Sequence, residues 1–268
     1  MSVHGSAKIH PMAVVEDGAV VGRNCKIGAF SVVGADVELG ECVELKSHAV
    51  VEGWTIVGDG TVIFPFASIG HIPQDLKFGG ERTKLEIGKR NRIREHVTIN
   101  PGTEGGGGLT KIGDDGLFMM SVHVGHDCIV GNEVVLANNA SLGGHCLIED
   151  NVIMGALSGV HQFCRVGRGA MIGGLAAVVA DVIPYGTVMG NRASLEGLNL
   201  VGLKRRGVEK NEINGLRTAF KQLFGGKRAL RERAEIIKLE YASNSLVQEM
   251  MAFILEDSGR HITLPKGS

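Results

Sequence analysis

Counted at a fixed interval, the aliphatic residues of this chain obey a rule that is neither helical nor alternating. Ile9, Val15, Val21, Ile27, Val33, Leu39, Leu45, Val51, Val57, Ile63 and Ile69 recur at every sixth position without a break. After HIPQDLKFGGERTKLE the count resumes at Ile87, Ile93 and Ile99 and pauses at PGTEGGGG. It then runs through Ile112, Phe118, Val124, Val130, Leu136, Leu142, Ile148, Met154, Val160, Val166, Ile172 and Val178. A six-residue period predicts an all-β solenoid, the parallel β-helix of hexapeptide repeats. Each hexapeptide forms a short strand and a turn, three close a triangular coil of about 18 residues, and coils stack about 4.8 Å apart. Strand alternation puts the residue two before each aliphatic on the same inward face. There the chain is small: Ala7, Ala13, Ala19, Cys25, Ser31, Ala49, Thr55, Thr61 and Ala67, then Cys128, Ala140, Cys146, Ser158, Cys164, Ala170 and Ala176. After Pro184 the spacing becomes helical at Ile213, Leu216, Phe220, Leu223 and Phe224, and again at Leu246, Met250, Phe253 and Ile254. FGGK separates the helical segments, and ASNS offers N-caps before Leu246. The division expected is a β-helix over 1–190, with insertions near 71–84 and 101–110, and a C-terminal α-helical domain over 191–268.

Composition fits a thin core with many turns: among 268 residues there are 40 glycines and only 4% aromatics. The net charge of -1 leaves no global basic field for nucleic acid, and any charged partner must be met by a local patch. No stretch approaches the roughly 18 apolar residues of a membrane span, and MSVHGSAKIH lacks the apolar core of a signal peptide, so a cytoplasmic protein is expected. Four of the five cysteines fall in the inward phase, where a thiol acts as a small hydrophobe, and no C-x-x-C pair suggests redox or zinc chemistry.

None of the ten histidines is in the inward phase. His123, His126, His145 and His161 all take outward or corner positions, from which they can line one edge of the prism around a single bound molecule. The first insertion carries Gln74, Asp75 and Lys77, whereas PGTEGGGGLT reads as a flexible lid with almost no side chains. Insertions in solenoids often build binding surfaces. Adjacent Arg205 and Arg206 suit phosphate through forked, charge-assisted hydrogen bonds.

The segments IPQDLKF, SVHVGHDC, LANNASLGGH, GVHQFCRVG and GLNLVGLKRRG, in this order, resemble those of the UDP-N-acetylglucosamine O-acyltransferases that begin lipid A synthesis. The resemblance covers nearly the whole length. It implies a left-handed β-helix, a homotrimer with active sites between subunits, and no metal or cofactor. It also implies transfer of an (R)-3-hydroxyacyl group from acyl carrier protein to the sugar 3-position of UDP-N-acetylglucosamine. His126 then matches the general base, Asp127 its support and Gly144 the backbone donor to the oxyanion. Gln74, Asp75, Lys77, His123, His145, His161 and Gln162 match contacts to sugar, pyrophosphate and acyl chain. Asn199, Arg205 and Arg206 match contacts at the nucleotide end, and glycine at Gly174 marks members that take long, myristoyl-class chains. The basic runs KRNRIR, from Lys89 to Arg94, and GGKRALRER, from Lys227 to Arg233, offer a patch for an acidic carrier.

The chain departs from the family pattern at Asn100 and Arg192, where histidine is common, and at Val201, where an acidic residue is common. The first bears on whether the acceptor is the 3-hydroxy sugar or a 3-amino analogue. Two other readings stand beside this one. A hexapeptide acyltransferase using CoA would share the repeats. A zinc lyase of the gamma carbonic anhydrase type would collect three histidines, but His123 and His126 lack its His-x4-His spacing.

Overall fold

In a computed structural model, which describes residues 2–267, the hexapeptides form a left-handed parallel β-helix whose three faces are sheets of nine, eleven and nine strands, parallel throughout except for the last strand of the eleven. We call these faces A, B and C in the order in which the chain visits them. The register is an unbroken stack: on face C, Thr98 pairs with His123, His123 with Ser141 and Ser141 with Gly159. The inward aliphatics of one coil thus lie on those of the next, and Ile63, Ile93, Phe118, Leu136 and Met154 are fully buried. Cys25, Cys128, Cys146 and Cys164 are buried free thiols of this core, while Cys42 is an exposed corner residue. Burial pushes the Cys164 thiol up to about 12, which leaves it inert as a nucleophile.

Most corners turn through a residue of positive φ three places after the inward aliphatic, such as Asn24 at 58°, Asp127 at 58° and His145 at 62°. Left-handed backbone is costly outside glycine. The stack compensates by pairing the corner amides between coils, as His145 N does with the His126 carbonyl at 2.9 Å. Both insertions leave from the edge joining face C to face A. The first follows Ile69 and returns at Lys84–Ile87; the second follows Ile99 and returns at Leu109–Ile112.

The top of face B ends in an antiparallel hairpin, Gly186–Met189 with Ser194–Leu198, which straddles the expected division at 190. Four helices follow: α1 (Leu200–Arg205), α2 (Lys210–Gly225), α3 (Leu230–Glu240) and α4 (Ser245–Leu255). The apolar rows read from the sequence are the packed faces of α2 and α4, and Asn244 caps α4 by accepting from Val247 N at 3.1 Å. The tail after α4 returns to the prism. There Asp181, fully buried, accepts from Arg165 Nε at 2.7 Å and Ser258 Oγ at 2.6 Å, and its main chain exchanges hydrogen bonds with His261 and Thr263. Arg165 also reaches Glu256 at 2.6 Å and lies over the Phe253 ring. Removing one partner of a buried ion pair strands the other charge. Asp181→Ala should therefore cost roughly 3–5 kcal/mol, read as a lower urea midpoint, with earlier proteolysis of the tail after α4.

Candidate functional site

The edge joining faces C and A carries two stacked columns. His126, Gly144 and Gln162 succeed one another in the first, and Asp127, His145 and Phe163 in the second, one coil apart at each step. Adjacent residues point apart on a straight strand, but the left-handed turn at Asp127 swings its carboxylate back onto its neighbour. His126 Nδ1 lies 2.7 Å from Asp127 Oδ2. An ionised carboxylate only accepts, so Nδ1 carries the proton and Nε2 is left as the ring's lone pair. Among the described residues Nε2 has no protein partner.

The Asp127 side chain is only 1% exposed. Its charge is held by the second insertion: Thr103 donates its amide to Oδ1 at 2.8 Å and its hydroxyl to Oδ2 at 2.7 Å. Thr110, at the return of the same loop, accepts the Asp127 amide at 2.8 Å. A Cβ on Gly106 would fall within 2.4 Å of the Asp127 carboxylate atoms, so glycine is required there for the loop to close over the acid. The sequence reading of this segment as a free lid is thus corrected: it is strapped to the acid it covers. Thr103 and Thr110 were invisible to that reading because their partner lies 24 and 17 residues away.

Gly144 has the other close approach. A Cβ there would lie 2.6 Å from both Cε1 and Nε2 of His126, so only glycine admits the ring, and the Gly144 N–H has no protein acceptor among the described residues. His145 stacks on Phe163 at 4.3 Å and meets His126 edge-on at 4.9 Å, with Nδ1 3.8 Å from Asp127. His123, on face C beside this edge, shares a hydrogen bond with Thr98 Oγ1 at 2.8 Å. Burial lowers the pKa of both His123 and His145; the nearby His126 lowers both further, while Asp127 and Asp75 act in the opposite sense on His145. Asp75, on the first insertion, is therefore within electrostatic reach of the site. It also takes the Lys77 amide at 3.1 Å, which orders the turn that carries Gln74 and Lys77. Asn100, beneath Gly125 on the same edge, ties that insertion down by donating to the His71 and Ile72 carbonyls, and its Oδ1 is buried without a partner.

Not every residue singled out in the sequence meets here. Asn199, Arg205 and Arg206 line a cavity of about 600 Å³ against Val135, Ile153 and Met171 on the outside of face B, with Val201 on its rim. Asn199 already caps α1, accepting from Gly202 N at 2.9 Å and donating to the Gly169 carbonyl at 3.0 Å. Gly174 is on the edge between faces B and C, where a Cβ would meet only the Ala156 backbone within 4 Å. The first basic run is largely neutralised, by Lys89 with Asp59, Arg90 with Asp115 and Arg94 with Glu95, whereas Lys227, Arg228 and Arg231 stay exposed with one ion pair at Arg228. His126, Asp127 and His145 also bring ligand atoms within 4.8 Å of one another, as a metal would need. The Asp127 oxygens, however, already accept three hydrogen bonds from the protein.

The two depressed histidines set a pH dependence. Unfolded histidine titrates near 6.5, so the stability these rings contribute is present above that pH and lost as pH falls through their lower folded values. Asp127→Asn removes a charge that raises the His145 value, so NMR titration should place His145 lower in this variant than in wild type, while His123 moves less.

Relatives share this architecture. The family profile described as UDP N-acetylglucosamine O-acyltransferase, domain 2, matches residues 181–263, and the bacterial transferase hexapeptide profile matches residues 1–35 and 18–53. The acyl-[acyl-carrier-protein]--UDP-N-acetylglucosamine O-acyltransferase of Paracoccus denitrificans is 59% identical over 76% of this chain and 77% of its own. Its Rhizobium leguminosarum counterpart is 52% identical over 97% and 96%. A solved UDP-N-acetylglucosamine acyltransferase from Campylobacter jejuni superposes with a TM-score of 0.91 at 42% identity, covering 97% of this chain and 100% of that one. With 52% identity over nearly the whole length of one such relative and a near-complete superposition on the structure of another, the chain belongs to the UDP-N-acetylglucosamine O-acyltransferase family.

Proposed function

We propose that this protein transfers an (R)-3-hydroxyacyl chain from acyl carrier protein to the 3-hydroxyl of the sugar of UDP-N-acetylglucosamine, the first step of lipid A biosynthesis. The observation that carries this reading is the His126–Asp127 pair, with Nε2 free beside the unpaired amide of Gly144. A sugar hydroxyl is a weak nucleophile. As its oxygen attacks the thioester carbon, its proton passes to His126 Nε2, and Asp127 stabilises the imidazolium that forms. The carbonyl oxygen becomes an oxyanion and accepts the Gly144 N–H. Collapse of this intermediate expels the thiolate of the carrier arm, which recovers the proton from His126. A zinc lyase is less well supported, because the carboxylate that would join two histidines as ligand is already committed to Thr103 and His126.

The reading extends to assembly as a homotrimer. In one chain the His126 edge and the Asn199, Arg205 and Arg206 cavity lie on different sides of the prism, so a nucleotide held by the second group reaches the first only across a subunit boundary. Leu76 on the first insertion, fully exposed, and Leu175 beside Gly174, two-thirds exposed, fit burial against such neighbours. In this arrangement His123 and His145 face the sugar, His161 and Gln162 face the acyl donor, and Gln74, Asp75 and Lys77 close over the sugar-phosphate. The acidic carrier docks on Lys227, Arg228 and Arg231 of the helical domain. We assign the reaction to the cytoplasm, where carrier protein and nucleotide sugar meet; no helix among the described residues is long and apolar enough to cross a membrane.

The test compares hydroxyacyl carrier protein with hydroxyacyl-CoA as donor, in wild type and His126→Ala. Wild type should use the carrier far better, and the variant should lose roughly 10²–10⁴ in turnover with its circular dichroism unchanged. Efficient use of CoA supports the generic acyltransferase instead, and a fully active variant removes His126 from the chemistry. Chain length gives a further check. Each buried methylene contributes about 0.8 kcal/mol, so filling the space at Gly174 by Gly174→Met should shift preference toward shorter donors by about an order of magnitude, measured by competition between carriers of several chain lengths.

A further inference from the structure

The tail after α4 passes over the same edge as the catalytic pair. Asp181, to which the tail is fastened, stands one coil beyond Phe163 in the column of Asp127 and His145, and the tail crosses this edge through His261 and Thr263. One residue before His261, Arg260 reaches back down. Its Nη2 donates to the Gln162 carbonyl at 2.8 Å and lies 3.3 Å from His161 Nδ1. Gln162 is two coils above His126 in the other column, roughly 10 Å away at the usual spacing of stacked strands. The remaining guanidinium donors, Nε and Nη1, have no protein partner among the described residues. A planar fork held by one side, with its other donors open, is built to receive oxygen acceptors.

The two routes leading away from Gly144 differ in polarity. Across face C the outward column passes from Ser141 to Gly159 and Ala177, a floor of small residues on which an apolar chain can lie; a Cβ on Gly159 would meet nothing nearer than 3.9 Å. Along the edge, by contrast, the surface above Gly144 is Gln162, His161 and Arg260. Of the two parts of a carrier thioester, the acyl chain suits the first route. The phosphopantetheine arm, which bears two amides and a phosphate, suits the second.

We propose that Arg260 binds the phosphopantetheine arm of the acyl donor, so that the tail after α4 forms part of the active site. This rests on the acyl-transfer reading above. A lost hydrogen bond from a charged donor weakens binding by about tenfold or more. R260Q should accordingly raise KM for the acyl carrier by about that factor, leave KM for UDP-N-acetylglucosamine unchanged, and alter kcat little at saturating donor. R260K, which keeps the charge but loses the fork, should fall between R260Q and wild type; it also keeps the test open should R260Q fold poorly. Acyl-pantetheine, which lacks the phosphate, separates the two kinds of oxygen. If R260Q is equally impaired with it, an amide carbonyl is the partner; if the defect disappears, the phosphate is. Unchanged donor KM in both variants, or an equal rise for donor and nucleotide sugar, overturns the assignment while wild-type transfer still supports the overall reaction. Wild type inactive with every carrier thioester removes the reaction and this role together.

Discussion

The stacking register is the constraint on which the rest of this structure depends. Every coil repeats the last at the spacing of hydrogen-bonded strands, so a residue one coil away in sequence is a neighbour in space, and a corner can be built from successive coils without any long-range folding decision. His126 finds Gly144 beside its ring because both occupy the same place in successive coils, and His145 sits over Asp127 for the same reason. The same register sets the cost of error. A shift of one residue would turn the aliphatic columns outward and disperse the His126–Asp127 edge in one step.

The edge also resolves a conflict between charge and burial. A carboxylate removed from water needs compensating donors, and a regular β-helix has few to spare, since its amides are already paired between coils. The second insertion supplies them. Thr103 brings an amide and a hydroxyl together, and the glycines between Thr103 and Thr110 let the chain come close enough to cover the acid. The loop is therefore part of the acid's solvation, not a decoration of the coil, and this accounts for an insertion so poor in side chains interrupting an otherwise unbroken period.

How far the sequence could be read follows from these two mechanisms. The prism was legible because its period is local and repeated, and so were α2 and α4, whose apolar rows recur at helix spacing. The phase of the hexads separated the buried thiols from the outward histidines without any structure. His126, Asp127 and Gly144 were drawn from a resemblance of motifs, and the reason that adjacent residues pair, a positive φ at Asp127, is a property of the corner. Thr103, Thr110 and Arg260 were not legible, since each acts through a contact that neither period nor motif encodes. The ion pairs of the first basic run were hidden for the same reason: its acidic partners, Asp59 and Asp115, are brought in from neighbouring coils.

A triangular solenoid has three edges and three faces, and this chain places different chemistry on two of the edges and one of the faces. The C–A edge holds the His126–Asp127 pair, the face B cavity holds the paired arginines, and the B–C edge carries Gly174 with exposed Leu157 and Leu175. A rigid prism cannot bend to bring its own sides together, so if these parts serve one substrate, as proposed above, they converge only between identical prisms lying side by side, each presenting one edge to the next. Rotational symmetry would then complete every site with the same contacts. The rigidity that makes the edge columns accurate is thus also the physical argument for the proposed assembly: a straight solenoid encloses a substrate that spans more than one of its faces only with a neighbour's help.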